Sequence, residues 1–142
     1  MKTPINEIKL KLPALSVNEG ACRAMIAAFC AQADPNIEEL ADIKCAVSEA
    51  VTNCIVHAYG GRGGTVYITV GIYEGRLIRV DIRDRGCGIS NVKEAMQPLF
   101  TTDQTGERSG MGFSVMESFM SRLQVSSAPA RGTRVTMWKQ LL

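Results

Sequence analysis

The chain has 142 residues, 46% hydrophobic and 21% charged, a balance that suits one globular domain with its own core and argues against a disordered chain. With 16 basic and 14 acidic residues the formal net charge is +2, so overall charge makes no case for nucleic acid, which would need a local patch. The five cysteines are odd in number and scattered without a C-x-x-C pair. They read as small buried hydrophobes in a reducing compartment rather than as metal ligands or a disulfide framework. Residues 1–12 lack the apolar core of a signal peptide, and no run approaches the roughly twenty apolar residues of a membrane span, so a cytoplasmic protein is expected.

Residues Glu7 to Leu12 alternate charged and aliphatic, the period of a half-buried strand, and Pro13 ends it. From Ser16 to about Ala33 the Ala, Met, Ile and Phe content predicts a helix. Ser16 is its expected cap, and Glu19 three residues on would complete a capping box. Arg23 is the only charge between Gly20 and Ala33; its stem can run along the rim of a core, or its head can meet a partner.

Asp34-Pro35-Asn36 is a turn, and a second helix is expected from about Ile37 to Tyr59. Leu40, Ile43, Val47, Ala50, Val51 and Cys54 recur at spacings of three and four and supply its core stripe. In the same helix Glu49, Asn53 and His57 fall at successive fourth positions. A carboxylate and a carboxamide so placed stand about 6 Å apart along the axis, near enough to share one hydrated metal ion or phosphate cluster. A solvated polar stripe is the alternative. Cys45 and Val56 lie on nearly the same side, which suggests a half-buried face instead. His57 reads as structural or positioning, not as a base.

Gly60 to Gly64, four glycines and an arginine, closes the helix and makes a mobile turn. Because it follows a helix and enters a strand, the reverse of a phosphate loop, it is read as a plain connection. Two strands follow, Thr65 to Tyr73 and Leu77 to Arg83, joined by the hairpin signal Glu74-Gly75-Arg76. In the second, Ile78, Val80 and Ile82 face one way and Arg79, Asp81 and Arg83 the other, so the sheet has one wet face or edge there. It runs into Asp84-Arg85-Gly86-Cys87-Gly88-Ile89.

Beyond this point Val92 to Met96 suits a short helix, and the polar, Thr-rich stretch Pro98 to Ser109 reads as a lid or binding loop. Ser109-Gly110-Met111-Gly112-Phe113 then opens an apolar helix through Met120. Arg122 to Ser127 and Thr133 to Trp138 are the last two expected strands, with Pro129 to Gly132 between them. No internal repeat appears, and residues 1–142 read as a single domain.

Three pieces thus stand in order: Glu-x-x-x-Asn on a helix, Asp-x-Gly-x-Gly after a strand, and Gly-x-Gly opening a helix after a lid-like loop. Their order resembles the ATP-binding family that includes DNA gyrase B, the heat-shock chaperone ATPases, MutL and the histidine kinases. Within that family the wording Val47-Ser48-Glu49-Ala50-Val51-Thr52-Asn53, Pro98-Leu99-Phe100-Thr101-Thr102 and Glu107-Arg108-Ser109-Gly110-Met111-Gly112-Phe113 is similar to the anti-sigma serine protein kinases. The resemblance spans nearly the whole chain. It implies an α/β two-layer sandwich, a mixed, mostly antiparallel sheet with helices on one face, in a histidine-kinase-type ATP-binding fold.

The resemblance also assigns roles, and the chemistry of the residues agrees with them. Asp84 would accept a hydrogen bond from the exocyclic amine of adenine, where guanine's carbonyl would be repelled. Gly86 and Gly88 would let backbone approach the base. Thr133 resembles the threonine that braces this site; an ordinary strand threonine is the alternative. Asn53 would hold Mg2+, its neutral amide oxygen leaving most of the ion's shell to phosphates and water. Glu49 would accept a proton from an attacking hydroxyl. Gly110, Met111 and Gly112, at a helix start, would offer N–H groups to phosphate. Arg108 would pair with the terminal phosphate or a partner's acid, or be a solvated lid charge, and Thr101 and Thr102 are lid hydroxyls or plain loop residues.

The implied protein binds a sporulation-type sigma factor and uses MgATP to phosphorylate a serine of an anti-anti-sigma antagonist. By the same resemblance it is a homodimer that contacts neither nucleic acid nor membrane. A nucleotide-gated binding module without phosphotransfer, a histidine kinase catalytic domain and a free-standing ATPase are the rival readings. The second of these needs a phosphoacceptor helix pair that this sequence lacks.

Overall fold

The computed structural model describes residues 2–89, 96 and 112–142. Within them the chain runs β1 (Asn6–Pro13), α1 (Val17–Cys30), α2 (Ile37–Thr52), β2 (Thr65–Tyr73), β3 (Leu77–Arg83), α3 (Gly112–Phe119), β4 (Arg122–Ala128) and β5 (Gly132–Gln140). The five strands form one sheet in the order β1-β2-β3-β5-β4. Every pairing is antiparallel, which corrects the expected mixed sheet. The reason is positional: the long crossover after β3 leaves β4 parallel to it, but β5 turns back through a tight hairpin and inserts between them.

Three helices cover one face of the sheet, with α2 packed against both α1 and α3. The core lies between the layers. Ile26, Ile43, Val47, Val51 and Met116 come from the helices and meet Val66, Ile68, Val70, Ile78, Val80 and Ile82 from the central strands. Each such side chain, fully buried, contributes about 1.5–3 kcal/mol. The aliphatic alternation of β3 points into this core, as its period demanded, while the opposite register carries Arg79, Asp81 and Arg83.

Capping differs from the expectation. Ser16 sits in helical backbone with no side-chain cap, and Glu19 instead accepts from Ser48 Oγ on α2 and pairs with Arg23 at 3.4 Å. The capping box forms on α2, where Asn36 Oδ1 accepts from the Glu39 N–H (2.7 Å) and Glu39 Oε1 accepts from the Asn36 N–H (2.9 Å). Its other carboxylate oxygen takes the Leu142 N–H at 2.8 Å, tying the chain's end to the start of α2.

Two cysteines also depart from the reading as buried hydrophobes. Cys22, Cys30 and Cys54 are buried, but Cys45 and Cys87 are exposed, so Cys45 does not help to bury the Glu49 face of α2. Among the described residues no helix is long and apolar enough to cross a membrane.

Candidate functional site

Helix α2 does not stop cleanly at Thr52. Its last stretch, Asn53–Ala58, widens into a π-helical turn, the kind of irregularity that re-aims side chains at functional sites. Glu49 and Asn53 stay one turn apart, both half-buried. Above them stands the first residue of α3: a Cβ on Gly112 would lie 3.2 Å from Asn53 Nδ2, 3.3 Å from Asn53 Oδ1 and 3.3 Å from Glu49 Oε2. Two separate sequence motifs therefore meet at one point, and a glycine is what lets them.

Asp84 follows the end of β3 and is 4% exposed. Its Oδ1 accepts from the backbone N–H of Gly86 (2.9 Å) and of Thr133 (3.1 Å). Burial pushes its carboxyl above the ordinary aspartate value, while those two N–H groups and the Cys54 thiol, which hydrogen-bonds to it, pull the other way. The thiol in turn is raised well above the usual cysteine range by burial and by the adjacent carboxylate, and stays protonated.

The loop after Asp84 is tied to the end of α2. The Cys87 N–H donates to Ala58 O (3.0 Å), and the Arg85 N–H donates to the Tyr59 hydroxyl (2.7 Å), which donates onward to Thr65 O (2.8 Å). These bonds fix the distance between Asp84 and Asn53. They also give Gly86 and Gly88 a reason beyond approach to a base: a Cβ on either would strike the Ala58 or the Ala128 carbonyl. Thr133 braces the loop from the other side. Its backbone N–H holds Asp84, and its hydroxyl shares a 2.9 Å hydrogen bond with Ser127 Oγ, which donates to Gly132 O and accepts from the Ile89 N–H.

Glu49, Asn53 and Gly112 are thus brought together, and Asp84, Gly86, Gly88 and Thr133 form a second cluster joined to them through 58–59. Thr101, Thr102, Arg108, Gly110 and Met111 lie outside the described residues, as do the expected lid and nearly all of the short helix before it. Sequence reasoning missed Cys54 as a partner of Asp84, Tyr59 as the strut and Ser127 as the brace. Ser127 was visible only through its register opposite Thr133.

Among the described residues no three Asp, Glu, His or Cys side chains converge on a metal site. The donors that do converge, one carboxamide and one carboxylate, suit a hard ion that keeps water and phosphate as its other ligands, and Mg2+ fits that set.

Residues 12–139 match the family model described as "Histidine kinase-like ATPase domain". The chain is 52% identical over 136 residues to an "Anti-sigma F factor" of Caldanaerobacter subterraneus subsp. tengcongensis, covering 96% of this chain and 94% of that one. It is 50% identical over 137 residues to an "Anti-sigma F factor" of Bacillus licheniformis, covering 96% and 93%.

Among solved structures it superposes on the RsbU and RsbW domains of a Mycobacterium tuberculosis protein with a TM-score of 0.70 at 21% identity, covering 99% of this chain and 34% of that one. The histidine kinase domain of a blue-light activated kinase from Erythrobacter litoralis gives 0.59 at 22% identity, covering 87% and 61%. Both support the fold. With relatives half identical over nearly the full length, the chain belongs to the histidine kinase-like ATPase domain family and, within it, to the anti-sigma F factors.

Proposed function

We propose that this chain is a cytoplasmic anti-sigma factor that binds a sporulation sigma factor and, with MgATP, phosphorylates a serine on its anti-anti-sigma antagonist, acting as a homodimer. The observation that carries the proposal is the convergence of Gly112 on Glu49 and Asn53, one loop contact away from Asp84. Asp84 takes the adenine amine, and its buried, doubly N–H-bonded carboxylate has little freedom to turn away. Asn53 would hold the magnesium ion, which when bound would neutralise phosphate charge. Glu49 accepts the proton of the antagonist's serine hydroxyl. As that oxygen bonds to the γ-phosphorus the bond to the bridging oxygen breaks, and ADP is the leaving group. Arg108, Thr101 and Thr102 and the backbone at Gly110 and Met111 are assigned to the phosphates from the family resemblance.

The test uses purified chain, γ-labelled ATP and the purified antagonist. Label on an antagonist serine that is abolished in Glu49→Ala, with ATP affinity within threefold of wild type, is expected. Partner binding without label would replace the kinase by a nucleotide-gated binding module, and steady phosphate release without an antagonist would replace it by an ATPase.

A further inference from the structure

Among the described residues the face of the sheet opposite the three helices carries no helix and concentrates positive charge. Register places Lys11, Tyr67, Arg83, Arg134 and Ser126 in one row across the strands, and Arg79, Trp138 and Arg122 in another. The net charge of +2 hides this asymmetry, because the helical layer carries Glu19, Glu38, Glu39, Asp42, Glu49 and Glu117. Among the described residues the only strand acids on the open face are Glu7 and Asp81. Asp81 is already committed to Arg134 (2.7 Å from Nε) and to Arg79 at 3.4 Å. Lys9, Lys11, Arg83, Arg85, Arg122 and Arg131 are exposed, and among the described residues none has an acid within ion-pair distance.

The arginines are also pre-set. Arg83 and Arg85 both lie over the Tyr67 ring, at 5.4 and 4.9 Å, and Arg79 and Arg122 both lie over Trp138, at 5.7 and 4.7 Å. Stacking of this kind fixes the plane of a guanidinium, and for the exposed Arg83, Arg85 and Arg122 it leaves the N–H edge accessible, which lowers the entropy lost on pairing with a carboxylate. Beside them a groove of about 250 Å³ is lined by Arg83, Arg131 and Arg134 together with Ser126 and Ser127, and it reaches Asp84 and Thr133 at its inner end. Six uncompensated cations on one face repel each other and are tolerated most cheaply where an anionic partner covers them.

We propose that this open sheet face is a docking surface for an acidic, extended segment of a partner protein, with the groove between Arg83, Arg131 and Arg134 as its anchor. Side chains on one face of an extended peptide recur about every 6.8 Å, the same repeat as the outward residues along each strand. A protein segment fits better than nucleic acid for one reason. Tyr67 and Trp138 are already engaged by guanidiniums, and Tyr73, a third ring on this face, is buried, so none leaves a platform for base stacking.

The experiment titrates isotope-labelled full-length protein with hexaglutamate, with hexathymidylate, and with neither over a range of protein concentration, following amide shifts. Expected is hexaglutamate binding whose shifts centre on Arg83, Ser126 and Arg131. Binding should weaken about tenfold in the Arg83→Glu, Arg131→Glu double variant and comparably on raising salt from about 50 to 200 mM. The milder Arg83→Gln, Arg131→Gln pair should weaken it less. No binding, shifts centred elsewhere, or indifference to the substitutions would overturn the proposal. Tighter binding of hexathymidylate would reassign the face to nucleic acid, and concentration-dependent broadening confined to it would reassign it to a second copy of the chain.

Discussion

Replacing Gly112 by alanine tests whether the meeting of α3 with α2 is functional. The new Cβ would sit 3.2–3.3 Å from the Asn53 amide and the Glu49 carboxylate, several tenths of an ångström inside a comfortable contact. Both side chains end on rotatable bonds, so they yield rather than the helix. Alanine meanwhile recovers part of the roughly 0.5–1 kcal/mol that glycine costs in a helix. Thermal stability should therefore stay within about 1 kcal/mol, or some 3–4 °C. The reaction is less forgiving. A misplacement of about 1 Å costs on the order of a hundredfold in rate, so a shift of a few tenths should slow phosphoryl transfer by roughly three- to tenfold, close to 1 kcal/mol of barrier. Thermal melts and single-turnover transfer from labelled ATP measure the two effects. Transfer at the wild-type rate with an unaltered melt would refute the reasoning, because it would mean that Glu49 and Asn53 tolerate the intrusion without losing function.

Asp84→Asn should separate stability from selectivity. The folded carboxyl sits above its ordinary value of 3.8, chiefly through burial, so the folded state binds that proton more tightly than the unfolded one. Wild-type stability from this group therefore falls as pH rises from 3.8 through the folded value and stays at the lower level above it. Asparagine, whose carbonyl can keep the Gly86 and Thr133 N–H bonds, should be the more stable at pH 7 in urea melts, with the advantage vanishing in acid. Calorimetry should show it losing preference for ATP over GTP; a less stable variant at pH 7 would contradict the assignment. Asn36→Ala removes the cap of α2 and should cost about 1 kcal/mol, read as a shift in the denaturation midpoint without a change in slope. Tyr59→Phe strands the Arg85 N–H and Thr65 carbonyl, and should cost about 1–2 kcal/mol and weaken ATP binding by loosening the loop after Asp84. Unchanged affinity there would show that the strut is structural only.

The sequence alone determined those features in which neighbouring residues dictate local geometry. Alternation in Leu77 to Arg83 and the three-four stripe of α2 set the two layers, and β2 and β3 have the very bounds read from their composition. The spacing of Glu49 and Asn53 placed both on one side of a helix because a helical turn is short-range. What depends on partners distant in the chain was decided by the tertiary structure. Glu19 left its expected cap for Ser48 on another helix, and β5 displaced β4 from β3. Cys54, Tyr59 and Ser127 acquired their roles only when the loop after Asp84 docked. The basic face came into being the same way, from cations on four strands that are scattered in the sequence and that sheet pairing alone assembles, since charge along a chain carries no record of which residues the fold will make neighbours.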